Sequence, residues 1–152
     1  KILNMKKRII KIILVIVWML IIFLFSNQDA SKSSNLSDSF IYKIVSIFRS
    51  EDISDEKMEL IISNNTFIVR KTAHFFVYFV LGILVYLLLK EFKVNNIVIY
   101  SLLICYLYAV SDEFHQFFIP GRSMEFRDTI IDGCGSFIGI CFSRILNKKM
   151  IK

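Results

Sequence analysis

Residues 9–25 read IIKIILVIVWMLIIFLF. These 17 residues carry one charge, Lys11, near their start. A helix of that length is just long enough to cross the hydrocarbon core of a bilayer. The rest of the chain agrees with a membrane reading. Apolar residues make up 55% of it, with 15 Phe, 6 Tyr and a single Pro. A water-soluble chain of 152 residues has too little interior to hide that much apolar surface, whereas in a bilayer lipid is the solvent. The basic stretch Met5-Lys6-Lys7-Arg8 before the run also suits a cleaved signal peptide. Gln28-Asp29-Ala30 is a poor small-x-small cleavage site, so the run reads as an uncleaved first span. Met5 reads as a natural start, and residues 1–4 are set aside from the fold argument.

Three more spans follow, at about 67–89, 95–110 and 128–146. Lys90-Glu91-Phe92-Lys93 is a short turn, and Ser111 to Arg127 is a polar loop turned by Pro120-Gly121. Residues 26–66 are polar to mixed. Ser26 to Ser34 reads as a polar connection. Phe40, Ile41, Ile44, Val45, Ile47 and Phe48 then recur at helical spacing with Lys43 and Arg49 among them. That pattern predicts an amphipathic helix, lying on the membrane surface or capping the bundle. A shorter helical piece around Met58, Leu60, Ile61 and Ile62 is expected to stop at Asn64-Asn65. The prediction is one all-α domain over residues 5–146. It is a membrane helical bundle of about four transmembrane helices, with an amphipathic extracytoplasmic segment between the first and second. Gly135-x-x-x-Gly139 in the last span is a small-x-x-x-small pattern, read as helix packing rather than a dimer site.

The net charge of +6 does not point to nucleic acid, because the basic residues flank apolar runs and line no groove. With the N-terminus inside and four spans, the inner side holds 11 of the 19 Lys and Arg, opposed only by Glu91. The other side holds 8 basic and 12 acidic residues. The bias predicts both termini in the cytoplasm. Arg70 and Lys71 run against it, and pairing with acidic residues of the same face is one reason to keep them there. Cys105, Cys134 and Cys141 all lie in apolar runs with no CxxC pair, and read as small buried residues.

Under this topology the polar residues gather at one membrane level. Arg70, His74 and Tyr78 follow at i, i+4, i+8 down one stripe of the second span, with Lys71 beside them. Asp112, Glu113, His115 and Gln116 come directly after the third span. If the helix continues there, Asp112, His115 and Gln116 share a face. Arg122 and Arg127 lie in the loop, and Asp128 and Asp132 enter the last helix at i, i+4. Ionisable groups beside or within a span are costly and usually face the bundle interior. Plainer roles compete: Arg70 and Lys71 as interfacial anchors, His74 and Tyr78 as packing residues, Asp132 as the partner of Arg70 or Arg122.

These residues resemble known motifs. Arg70-Lys71-Thr72-Ala73-His74-Phe75-Phe76-Val77-Tyr78 resembles the R-K-x-x-H-x-x-x-Y stretch of the VanZ-like family. Ser111-Asp112-Glu113-Phe114-His115-Gln116, continuing to Pro120-Gly121-Arg122, resembles its S-D-E-x-H-Q-x-F-x-P-x-R stretch. Asp128 and Asp132-Gly133 resemble the D-x-x-x-[DN]-x-x-G that follows, and Ser26-Asn27-Gln28 its short S-x-Q. Val77 departs from a Glu that members often carry. The resemblance implies a multi-pass bacterial cytoplasmic-membrane protein. Its founding member is associated with low-level resistance to the glycopeptide teicoplanin.

Three functions compete. In the first, Arg70, Lys71, Arg122 and Arg127 engage an anionic group, such as a phosphate of a lipid-linked cell-wall precursor, with the acidic residues orienting them. Tyr78, Gln116, Asp128 and Asp132 complete that binding set, and access of glycopeptide antibiotics would change. In the second, Asp112, Glu113, His74 and His115 are catalytic and act on a lipid-linked phosphate or glycan. The third is a transporter or channel, disfavoured by four short spans without a broken-helix pair. No HExxH or similar metal-ligand spacing is present, and the cofactor and the oligomeric state are not indicated.

Overall fold

The computed structural model describes residues 2–48 and 54–149. Arg49 of the amphipathic segment, and Lys1, Lys152, Glu51 and Asp52 of the charge count, lie outside the described residues, as do the side chains of Phe48 and Lys149. Five helices follow in order: α1 Ile2–Ser26, α2 Ala30–Phe48, α3 Asp55–Glu91, α4 Ile97–Gln116 and α5 Phe126–Lys149. Among the described residues there is no strand. Four helices, α1, α3, α4 and α5, are long and apolar enough to cross a membrane.

The bundle is inside-out relative to a soluble one. Large apolar side chains such as Ile13, Leu20, Leu24, Leu107 and Phe137 face outward, where lipid solvates them. Its interior is built from Val15, Ile22, Tyr78, Leu81, Val85, Cys105 and Ala109. α3 and α5 make the most extensive pairing. They run parallel, because Lys71 meets Asp128 at one end and Lys90 meets Asn147 at the other. The 19 residues from Lys71 to Lys90 rise about 28 Å, close to the thickness of a hydrocarbon core. The two polar ties therefore mark the two rims of the membrane. At the second rim Lys11 also pairs with Glu91 at 2.6 Å. Between the rims, Trp18 donates to the Val77 carbonyl at 2.8 Å and Tyr108 to the Met19 carbonyl at 2.6 Å.

Glycine sets how closely α3 and α5 approach. A Cβ on Gly135 would lie 2.3 Å from the Phe75 carbonyl oxygen, and one on Gly139 would lie 2.1 Å from that of Phe79. On the facing helix, a Cβ on Gly82 would lie 2.3 Å from the Ser136 carbonyl oxygen. No side chain fits at these positions while the helices stay in contact.

Three boundaries differ from expectation. The helix does not stop at Asn64-Asn65; α3 runs unbroken for 37 residues. Asn65 donates to the Ile61 carbonyl at 2.8 Å and the Thr66 hydroxyl lies 2.8 Å from the Ile62 carbonyl, so these polar residues meet the helix's own backbone instead of ending it. At about 55 Å, α3 exceeds the bilayer, and its first turns project beyond the first rim. Second, the connection after α1 is only residues 27–29, and α2 starts at Ala30. Its first helical bond runs from the Ser33 N–H to the Asp29 carbonyl. α2 docks on the projecting part of α3: Ser37 and Ile41 are buried, and Thr66 donates to Asp38 at 2.6 Å. Third, α4 continues past Val110 to Gln116 and so carries its polar motif on helix.

Candidate functional site

The first rim of the bundle encloses a cavity of about 490 Å³ between α1, α2 and α3, with α4 and the α4–α5 loop behind it. Ile22 and Phe25 of α1, Leu36 and Phe40 of α2, and Val69 and Phe76 of α3 form its apolar wall. Its charged lining is Arg70, His74, Asp112 and Arg122. Ser26, Ser33 and Ser37 add hydroxyls. The volume lies within the range of small-molecule pockets.

The helical stripe of α3 descends through this cavity. Arg70 is half-buried and forms no ion pair or side-chain hydrogen bond among the described residues. One turn deeper, His74 lines the cavity and directs Nδ1 at Asp132 Oδ1, 3.5 Å away. That separation meets an ion-pair distance but not hydrogen-bond geometry. A further turn down, Tyr78 is fully buried with its hydroxyl unpartnered.

Lys71 leaves the stripe. It points into the bundle, where it pairs with Asp128 and, at 3.1 Å, with Glu125. The sequence placed Lys71 and Asp128 in the anion-binding set; here they neutralise each other. Glu125 had no signal beyond lying between Arg122 and Asp128. Its N–H donates to Glu113 Oε2 at 3.0 Å, so Glu113 holds the loop.

On α4 the buried face carries Asp112, Glu113 and Gln116. His115 does not share it. Its ring packs on Phe23 of α1, with centroids 4.6 Å apart, and it does not line the cavity. At 100° per residue, 112, 113 and 116 cluster on one side of a helix and 115 falls off it. Asp112 lies among Ser26, Tyr78, His74 and Gln116.

The α4–α5 loop locks this arrangement. Ile119-Pro120-Gly121-Arg122 closes with the Arg122 N–H on the Ile119 carbonyl at 3.1 Å. Proline at the second position and Gly121 at φ 72° in the third suit a type II turn. Arg122 then donates from Nε to the Gln28 carbonyl at 2.8 Å, from Nη2 to the Phe25 carbonyl at 3.3 Å and from Nη1 to Gln116 Oε1 at 2.9 Å. Gln116 passes the contact to Asp112 Oδ2 at 3.4 Å. Burial lowers the Arg122 pKa from its ordinary value, and Arg70 lowers it further. Ser26-Asn27-Gln28 thus meets the loop through the Gln28 backbone carbonyl, not through its side-chain amide. Arg127 is exposed and does not join the set.

Several deeply buried polar atoms have no hydrogen-bond partner among the described residues. They include both Asp132 oxygens, Glu113 Oε1, Ser26 Oγ and Tyr78 OH. Buried polar atoms are usually paired, and a cluster of orphans beside a cavity is unusual for scaffold. Among the described residues no group of three His, Cys, Asp or Glu side chains is arranged to hold a metal ion.

A model of the family described as VanZ/LLP1 matches residues 11–147, most of the chain. No curated protein matches. No solved structure matches either.

Proposed function

The chain belongs to the VanZ/LLP1 family, and from that premise we propose that its rim cavity binds the anionic head of a membrane amphiphile. Residues 5–146 act as one membrane domain of the bacterial cytoplasmic membrane. Both termini are cytoplasmic, and the cavity opens at the extracytoplasmic leaflet. The ligand class is a lipid-linked phosphate or pyrophosphate of the kind that carries cell-wall precursors. Its occupancy alters what the outer leaflet presents to a lipophilic glycopeptide such as teicoplanin, and so lowers susceptibility.

The observation that carries this reading is Arg70, an arginine without an ion-pair partner among the described residues, set in a cavity with an apolar wall on α1, α2 and α3 and with His74, Asp112 and Arg122 as its other charged lining. A half-buried guanidinium favours an anion that accepts two parallel hydrogen bonds, and phosphate does. The wall of Ile22, Phe25, Leu36 and Phe40 suits an acyl or prenyl chain entering from lipid. Arg122 spends three of its five N–H groups on the protein and supplies the head with at most the other two. Lys71 is not assigned to the ligand, because Asp128 and Glu125 already hold it.

The test is equilibrium binding of a prenyl pyrophosphate to the purified protein in lipid nanodiscs. Arg70→Ala is expected to weaken binding by roughly tenfold or more, the loss of a charge-assisted hydrogen bond. Equal binding by Arg70→Ala and the unaltered protein rules the reading out.

A further inference from the structure

The cavity holds more than binding requires. An anion site needs cations and donors. It does not need a carboxylate behind a histidine. Asp132 is fully buried, and neither of its oxygens has a hydrogen-bond partner among the described residues. His74 Nδ1 faces its Oδ1 at 3.5 Å. A carboxylate without a hydrogen bond inside a membrane bundle is costly, on the order of several kcal/mol for the desolvation of one ion. A scaffold would replace it with an apolar residue.

The histidine is oriented as well as paired. Its side chain is 16% exposed and lines the cavity. Nδ1 is buried and turned to Asp132, which leaves Nε2 as the nitrogen available to a ligand. A carboxylate 3.5 Å from Nδ1 favours the proton on that nitrogen, which leaves Nε2 with a free lone pair, and stabilises the imidazolium once that lone pair takes a proton. Arg70 stands one helical turn toward the rim, its Cβ about 6 Å from that of His74. An anionic head held by Arg70 is therefore presented to Nε2.

The other titratable candidates are already engaged. Glu113 holds the Glu125 N–H, His115 packs on Phe23, and Asp112 is tied through Gln116 to Arg122.

We propose that the cavity is a hydrolytic site for the phosphoanhydride of a prenyl or acyl pyrophosphate, with His74 as general base, Asp132 as its positioning residue and Arg70 as the holder of the phosphoryl oxygens. This rests on the anion-binding reading above. A water gives a proton to His74 Nε2 as its oxygen bonds to the terminal phosphorus. The bond from that phosphorus to the bridging oxygen breaks, and its electron pair stays on the lipid phosphate. Inorganic phosphate is released. The proton on His74 passes to a phosphate oxygen of either product, which restores the base.

The experiment uses the full chain in nanodiscs with geranylgeranyl pyrophosphate as probe, and follows phosphate release and equilibrium binding in parallel. The unaltered protein is expected to release one phosphate per probe. His74→Gln is expected to lower kcat by roughly 100-fold or more while the probe still binds with little change in Kd. Asp132→Asn, nearly isosteric, is expected to lower kcat with KM unchanged. Arg70→Ala is expected to act mainly on KM. A purely structural role for His74 and Asp132 predicts instead that binding and rate fall together. Probe binding without phosphate release by the unaltered protein overturns hydrolysis and leaves the binding reading standing. Release at an equal rate by His74→Gln overturns His74 as the general base, and with it the proposed site chemistry. A probe that does not bind at all removes both.

Discussion

Arg70 and Lys71 are neighbours in sequence with the same charge, and the helix sends them to different work. Successive residues on a helix point about 100° apart. Arg70 faces the cavity, and Lys71 turns inward to Asp128 and Glu125. The Lys71 and Asp128 side chains are only 9% and 7% exposed, so solvent screens the pair little. Lys71→Met leaves Asp128 buried without its cation. It is expected to cost about 3–5 kcal/mol, because an unpaired buried charge is worse than no charge. Reversible unfolding in mixed micelles measures this. The double variant Lys71→Met, Asp128→Leu is expected to regain most of the loss. If Lys71→Met alone unfolds with the unaltered protein, the pair is not a structural tie and Lys71 is available to a ligand after all. Sequence spacing set Lys71 beside the Arg70 stripe, but still placed both residues in the anion-binding set. The direction of a side chain around α3 depends on which neighbours the helix packs against.

At the scale of the element, α3 and α5 form the frame on which the site hangs. His74 and Asp132 meet because two parallel helices hold their register over the whole membrane, tied at Lys71–Asp128 and Lys90–Asn147. Backbone contact at Gly82, Gly135 and Gly139 makes the distance between them short enough. Gly139→Val is expected to destabilise the protein by roughly 2 kcal/mol or more, since its Cβ would overlap the Phe79 carbonyl. Gly133 is the control. A Cβ there meets nothing within 4 Å, so Gly133→Ala is expected to be neutral or to stabilise by up to about 1 kcal/mol. Thermal melting in one detergent compares the two. Equal melting temperatures would show that the close approach contributes nothing.

For the whole molecule, the question is which way the rims face. Among the described residues, the cavity rim carries Asp112, Glu113, Asp128 and Asp132 and the α2–α3 projection, and the other rim carries Lys11, Lys90 and Arg8, with Glu91 opposing. If both termini are inside, Asn35 on α2 and Asn95 in the α3–α4 turn lie on opposite sides; both are exposed. In a background lacking the three native cysteines, Asn35→Cys is expected to react with an impermeant maleimide on intact cells. Asn95→Cys is expected to react only after permeabilisation. The reverse pattern would place the cavity at the cytoplasmic leaflet and remove the link to antibiotics that act from outside.

Hydropathy and residue spacing by themselves determined that this is a helical membrane protein. They also marked Arg70, His74, Asp112 and Arg122, which line one cavity together, because a long apolar run has few alternatives to crossing lipid and an ionisable group near its end has few places to go. They did not determine the company each residue keeps. That α4 carries Asp112, Glu113 and Gln116 on one buried face while His115 turns to Phe23, that Glu125 enters the site, and that Leu36 and Phe40 of α2 wall the cavity were decided only by the tertiary structure. Periodicity records which face a residue shares along its own helix. Which other helix covers that face depends on packing between segments far apart in the chain, and no local pattern encodes it.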